Sequence, residues 1–169
     1  MQDFRHGKRN ITMKKAITCI LLILWMAVIF CFSAQNGTQS SGISRSVGYG
    51  IAENSNRLFH QGKSEEKIAK QVEAMQLVIR KGAHMSEYAL LAVLALLHVC
   101  CYKKSPRRFE LWAWGFCIAF AATDELHQRF VPGRDGRAVD VCIDAVGSLI
   151  GVMVFLMCYK KFWSRKEKK

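Results

Sequence analysis

The sequence predicts an all-α membrane protein with four transmembrane helices, both termini in the cytoplasm and amphipathic helical segments in the outer loop between spans one and two. Two observations carry this. The apolar residues collect in four blocks instead of periodic stripes, and Lys and Arg collect in three of the flanking segments. The averages alone say little: 169 residues, 51% hydrophobic, a formal net charge of +12 and a mean hydropathy of +0.08 lie close to soluble values. The length suits one domain over residues 1–169.

The first block, residues 16–32, carries no charge and with its flanks reaches the roughly 20 residues that cross a bilayer. Lys14-Lys15 before it and Ser33-Ala34 after it superficially resemble a signal peptide. Its apolar core is too long for one, and Phe32 breaks the small-x-small cleavage pattern, so a retained span at about 15–34 is expected. Met13 reads as a natural start, with residues 1–12 as an extension.

The second and third blocks, 88–102 and 111–123, reach spanning length only by including polar neighbours. Spans at about 83–102 and 109–128 therefore contain His84 and Glu87 in one, and Asp124, Glu125 and His127 in the other. The fourth, about 139–159, carries Asp144 one turn after Asp140. Ionisable groups cost about 2.5–3.5 kcal/mol each at the bilayer centre and less toward the interface, so their presence in three spans calls for a reason.

The loops set the orientation. Fifteen Lys and Arg lie in the N-terminal tail, the link between spans two and three, and the C-terminal tail, against Asp3, Glu110 and Glu167. These basic segments belong on the cytoplasmic side. The remaining ten basic and ten acidic residues fall on the outer side, so the net charge of +12 is a topology signal attracted to anionic inner-leaflet lipids. No nucleic-acid partner is expected.

Residues 35–82 form the outer loop. Gln35-Asn36-Gly37 and Ser40-Ser41-Gly42 mark a turn. Ser64 with Glu65-Glu66 marks a helix start, followed by Ile68, Val72, Met75 and Ile79 at helical spacing. Val47, Ile51 and Leu58 suggest a second, weaker apolar face. Such helices lie at the membrane–water boundary, cover the bundle mouth, or pack as a solvated hairpin.

On this topology every intramembrane charge falls at the outer ends of the spans. Arg80, Lys81, His84, Glu87 and Tyr88 enter span two there; Asp124, Glu125, His127 and Gln128 leave span three there; Asp140 and Asp144 begin span four. Arg80, His84 and Tyr88 share one helical face, as do Asp124, His127 and Gln128. Asp140, Asp144, Gly147 and Gly151 form a stripe whose glycines permit close helix approach. The tight connection Val131-Pro132-Gly133-Arg134-Asp135-Gly136-Arg137 returns two arginines to the same mouth.

The seven cysteines all sit in apolar blocks, with no CxxC pair. They read as small buried hydrophobes, not as a disulfide framework or zinc site. His98 stands on the apolar part of span two, with no partner visible at i±3 or i±4, and reads as a packed core residue. Trp112 and Trp163 read as interface anchors.

Four ordered segments carry a family resemblance: Phe32-Ser33-Ala34-Gln35; Arg80-Lys81-Gly82-Ala83-His84 with Glu87-Tyr88; Asp124-Glu125-Leu126-His127-Gln128 leading into Pro132-Gly133-Arg134; and Asp140…Gly147…Gly151. Together they resemble the VanZ-like family of bacterial membrane proteins. The resemblance implies a small helical cell-envelope protein and a contribution to lipoglycopeptide resistance of the teicoplanin type, with which the founding member is linked. One position departs from the family pattern: Asp144 stands where Asn is expected.

Two functional readings follow. In the first, Arg80, Lys81 and Arg134, joined by Arg137, bind an anionic lipid-linked group in the outer leaflet, arginine by bidentate hydrogen bonds. The ligand set is then Arg80, Lys81, His84, Glu87, Tyr88, Asp124, Glu125, Gln128, Arg134 and Asp140. Membrane lipids are the partner class, with a lipid-linked cell-wall precursor or a lipoglycopeptide as specific candidates. In the second, the chain is a hydrolase or transferase acting on an outer-leaflet phospholipid, pyrophospholipid or glycolipid, with His84, Asp124, Glu125 and His127 as acid–base candidates. Against both stands a purely structural role, in which Arg80 or Arg134 pairs with Glu87 or Asp124 to set helix register. His84-x-x-Glu87 and Asp124-x-x-His127 resemble half of a dimetal site, but the order on span two is reversed and the further glutamates are missing. No metal or cofactor is expected. A proton-coupled carrier is disfavoured, since the inner halves of the spans offer no polar path.

Overall fold

The computed structural model of the chain describes residues 2–102 and 109–166, with side chains for 11–102 and 109–161. The basic residues Lys103, Lys104, Arg107 and Arg108 of the expected cytoplasmic link, and Glu167, Lys168 and Lys169 of the tail, lie outside the described residues. Among the described residues the regular structure is entirely helical: α1 Gln2–Ser33, α2 Gly37–Leu58, α3 Glu65–Cys100, α4 Glu110–Gln128 and α5 Ala138–Lys166. Helix α3 is the hub and packs against all four others.

Three segments are long and apolar enough to cross a membrane: Ile11–Ser33, Glu65–Cys100 and Ala138–Lys161. Helix α4, the third of the four expected spans, is not among them, because Asp124, Glu125, His127 and Gln128 crowd its last turn. The 36 residues of α3 extend about 54 Å at 1.5 Å per residue, well beyond a hydrocarbon core of about 30 Å. The expected outer amphipathic helix and span two are thus one continuous helix. Nothing between them breaks it: the stretch contains no proline, and Gly82 costs a helix interior only about 1 kcal/mol.

The excess length of α3 packs against α2. The start of α3 falls where Ser64 and Glu65-Glu66 place it, and Ile68 and Val72 turn inward. Helix α2 meets them with Gly48 and Ala52, and Ser40 and Ser44 continue the same buried stripe. A Cβ on Gly48 would come within 2.9 Å of Val72 Cγ1, so a small residue sets this approach. Val47, Ile51 and Leu58 lie on the flank beside this stripe and are exposed. Small residues at fourfold spacing, not the larger apolar ones, form the packed face of α2.

The start of α2 is held twice. Asn36 caps it, its Oδ1 accepting from Gln39 N at 2.8 Å while Gln39 Oε1 accepts from Asn36 N at 3.3 Å, a reciprocal capping arrangement. Gly37 N then donates to the Pro132 carbonyl at 3.2 Å, tying the turn after α1 to the α4–α5 connection. A Cβ on Gly37 would run into the Gly133 carbonyl, and Gly133 itself has φ 72°, a left-handed conformation suited to glycine.

The bundle core contains Ile29 from α1, Tyr88, Leu91, Ala92 and Leu96 from α3, Cys117 and Ala121 from α4, and Val152 from α5. The described cysteines are all free thiols. Trp25 Nε1 donates to the Glu87 carbonyl and Trp114 Nε1 to the Ala145 carbonyl, each at 2.9 Å, pinning α1 to α3 and α4 to α5. His98 does have partners, one on another helix and one at i+4, which corrects the reading that none stands at that spacing. Its Nδ1 lies 2.9 Å from Thr18 Oγ1 on α1, and its ring meets Tyr102, four residues on, edge to face at 5.2 Å.

Candidate functional site

Helices α3 and α5 build the base of the site. A Cβ on Gly147 would overlap the backbone of Met85, and one on Gly151 the backbone of Ala89, so the two helices touch backbone to backbone there. That contact lays the first turns of α5 against residues 80–88 of α3. It pairs Lys81 Nζ with Asp140 Oδ1 and sets Asp144 Oδ1 3.8 Å from His84 Nδ1. The second distance is too long for a hydrogen bond. Neither Asp144 oxygen nor His84 Nδ1 has a hydrogen-bond partner, although all three atoms are buried.

Helices α1 and α4 and the 129–137 connection close the other side. Ser33 Oγ donates to Asp124 Oδ2 at 2.6 Å. Gln128 Nε2 donates to the same oxygen at 3.3 Å and to Ser33 Oγ at 3.2 Å. Gln128 Oε1 accepts from Arg134 Nη1, and the Phe32 carbonyl accepts from Arg134 Nη2, both at 3.2 Å. The connection folds back on α4: Arg137 N donates to Glu125 Oε2 at 3.0 Å, and Arg129 Nε donates to the Gly136 carbonyl at 3.3 Å. His127 stacks on Phe30, ring centroids 4.2 Å apart.

Between these walls lies a cavity of about 400 Å³ lined by Arg80, Lys81, His84, Arg134, Arg137 and Asp140, among others. Lys81 is neutralised by Asp140 and Arg137 by Asp135 at 3.3 Å. Arg80 makes no ion pair or hydrogen bond among the described residues, and Arg134 holds only neutral oxygens. Burial lowers the pKa of the Arg134 guanidinium and the charge of Arg80 lowers it further, while Asp124, Glu125 and Glu87 act in the opposite sense. Two guanidinium groups thus face one cavity without a bound carboxylate, an arrangement that favours an anion.

The ten residues singled out as ligand-binding candidates divide by position. Arg80, Lys81, His84, Gln128, Arg134 and Asp140 line this cavity. Glu87 lines a neighbouring one. Tyr88, Asp124 and Glu125 line neither and are buried in the packing. Of the acid–base candidates, His84 alone lines either of these two cavities. Asp124 is bound by Ser33 and Gln128, Glu125 by the Arg137 amide, and His127 by Phe30. Among the described residues no group of three or more His, Cys, Asp and Glu could hold a metal ion.

Ser33 and Arg137 matter more than motif reading indicated. Ser33 looked like part of a span end and proves to be the partner of a buried carboxylate. The backbone amide of Arg137, not only its side chain, contributes. A serine ending a span in a chain that buries an aspartate was the available signal.

The VanZ/LLP1 family profile matches residues 18–159, and the chain belongs to that family. No match is found among the curated proteins or the solved structures.

Proposed function

We propose that this VanZ/LLP1 family membrane protein binds an anionic lipid-linked group at the outer face of the cytoplasmic membrane. The observation that carries the reading is the pair Arg80 and Arg134, which face one cavity with no carboxylate on either guanidinium. A phosphate or pyrophosphate head group supplies the missing acceptor oxygens in the fork geometry that arginine favours. Lys81 and Arg137, already paired, set the rim.

The reading places four helices across the membrane, α1, α3, α4 and α5, with both termini in the cytoplasm. Two points support α4 as a span. Its 19 residues give about 28 Å of helix, close to the hydrocarbon thickness of about 30 Å. Its polar residues Asp124, Glu125 and Gln128 are buried against protein, as intramembrane polar groups must be. The distribution of Lys and Arg supports the orientation.

The family resemblance brings a lipid-linked cell-wall precursor, or a lipoglycopeptide of the teicoplanin type, into the candidate ligand class. Each is an amphiphile with an anionic portion, so one site accounts for ligand binding and for a contribution to resistance. The alternative is a membrane hydrolase or transferase acting on such a lipid. It draws support from His84, which lines the cavity with Asp144 behind it at 3.8 Å.

Native mass spectrometry of the purified full-length chain tests the binding reading. The expected result is a co-purifying anionic lipid retained by wild type and lost by Arg80→Ala. A wild type that carries no such lipid overturns the reading. Conversion of the lipid by wild type but not by His84→Ala replaces it with the enzymatic one. Expression in a teicoplanin-susceptible host tests the resistance component, which should vanish with Arg80→Ala.

A further inference from the structure

A second cavity, of about 410 Å³, opens on the other side of the same residues. Arg80, His84 and Arg134 line both cavities. The second is framed by Phe32 at the end of α1, Ile43 and Val47 on α2, and Ile79 on α3. Ile43 and Val47 lie four residues apart on the flank of α2 beside its packed stripe, whose Ser40 and Ser44 also line the cavity; they are 51% and 46% exposed. The packed side of α2 is the Ser40, Ser44, Gly48 and Ala52 stripe. A groove with an apolar wall of Phe32, Ile43, Val47 and Ile79, and with Ser40, Ser44 and Glu87 also on its lining, therefore runs directly into the wall that carries Arg80 and Arg134.

We propose that this groove holds the first part of the hydrocarbon chain of the ligand whose anionic head lies between Arg80 and Arg134. The ligand class is thereby narrowed to phosphate-bearing amphiphiles and excludes free inorganic anions as the best occupants. The inference rests on the anion-binding reading above. It is carried by continuity: a head group seated on Arg80 and Arg134 has a polar cavity on one side and, across the shared residues, an apolar wall on the other. The chain covers the exposed Ile43 and Val47 and the partly buried Ile79. The excess length of α3 acquires a reason, since its extension supports α2 along this groove.

The test is competition against radiolabelled pyrophosphate on the full-length protein in lipid nanodiscs, with empty nanodiscs subtracted. Ethyl, butyl and hexyl phosphate are the competitors. A fully buried methylene strengthens binding about fourfold, so an open groove gives wild type a stepwise gain, by hexyl phosphate at least tenfold over ethyl. Ile43→Asn/Val47→Asn, at two half-exposed positions, removes most of that gain and leaves pyrophosphate binding within about twofold, while Arg80→Ala weakens every competitor. A flat chain-length series in wild type, or a gain that survives the double substitution, overturns the groove and leaves the anion site standing. Loss of pyrophosphate binding in the double variant also overturns a separate groove. A wild type that binds no pyrophosphate and no alkyl phosphate overturns the anion site itself.

Discussion

Ser33, the last residue of α1, donates a 2.6 Å hydrogen bond to Oδ2 of Asp124 near the end of α4. The two residues are 91 positions apart, and both side chains are almost completely buried. Gln128 bridges the same pair and passes the connection on to Arg134. The polar end of the bundle is thereby held as one unit, with Arg134 at its free edge. Asp124 acts in this arrangement as an anchor for the binding surface, not as part of it.

Removing the Ser33 hydroxyl should be costly. A hydrogen bond to a charged group contributes about 1.5–3 kcal/mol, and Ser33→Ala leaves Asp124 Oδ2 with Gln128 alone. The expected outcome is a lower melting temperature in detergent, with pyrophosphate affinity reduced because Arg134 loses its support. Unchanged melting would show that the bond does not hold α1 to α4.

Close contact of α5 with α3 depends on Gly147 and Gly151. Gly147→Leu or Gly151→Leu forces the helices apart at Met85 and Ala89, and overpacking of this kind typically costs about 1–3 kcal/mol or more. Gly115→Ala is the control, because a Cβ there meets nothing within 4 Å; its stability should hold or rise slightly. Thermal unfolding of the three variants side by side measures the difference. Equal behaviour would mean that the α3–α5 contact does not need glycine.

Asp144 is 1% exposed, and neither of its oxygens has a hydrogen-bond partner. An unsatisfied buried polar group costs about 1–3 kcal/mol, and more when charged. Asp144→Asn keeps the shape, removes the acid and restores the residue expected from the family pattern, so it should melt higher than wild type. A lower melting temperature would assign the carboxylate a stabilising partner, with His84 the nearest candidate at 3.8 Å.

The membrane orientation is open to labelling. In a variant lacking the seven native cysteines, a membrane-impermeant thiol reagent applied to intact cells should modify Ser46→Cys on the exposed side of α2. It should not modify Ser105→Cys, in the link between α3 and α4. The reverse pattern would place the Arg80–Arg134 cavity on the cytoplasmic side. Labelling at both positions would mean that α3 does not carry the chain across the membrane.

Much of this molecule was legible in its sequence. An uncharged block dictates α1, and shorter apolar blocks extended by polar neighbours dictate the apolar parts of α3 and α5, because a backbone entering hydrocarbon must satisfy its own hydrogen bonds, as a helix does. Ser64 and Glu65-Glu66 mark the start of α3, since acids favour the first turn. The clustering of Arg80, Lys81, His84, Asp124, Glu125, Arg134 and Asp140 at one end follows from topology alone. Even the glycine stripe of α5 was readable, because only small residues allow backbones to meet. Tertiary structure decided what those residues face. Periodicity gives the direction of a side chain around its own helix, but not which neighbour occupies that direction. Hence the packed side of α2 is its serines and glycine and not Val47 and Ile51, and His98 meets Thr18 from a helix 80 residues away. For the same reason, only the packed structure separates Arg80 and Arg134, which line a cavity, from Asp124 and Glu125, which are buried with one oxygen each held by Ser33 and Gln128 or by the Arg137 amide.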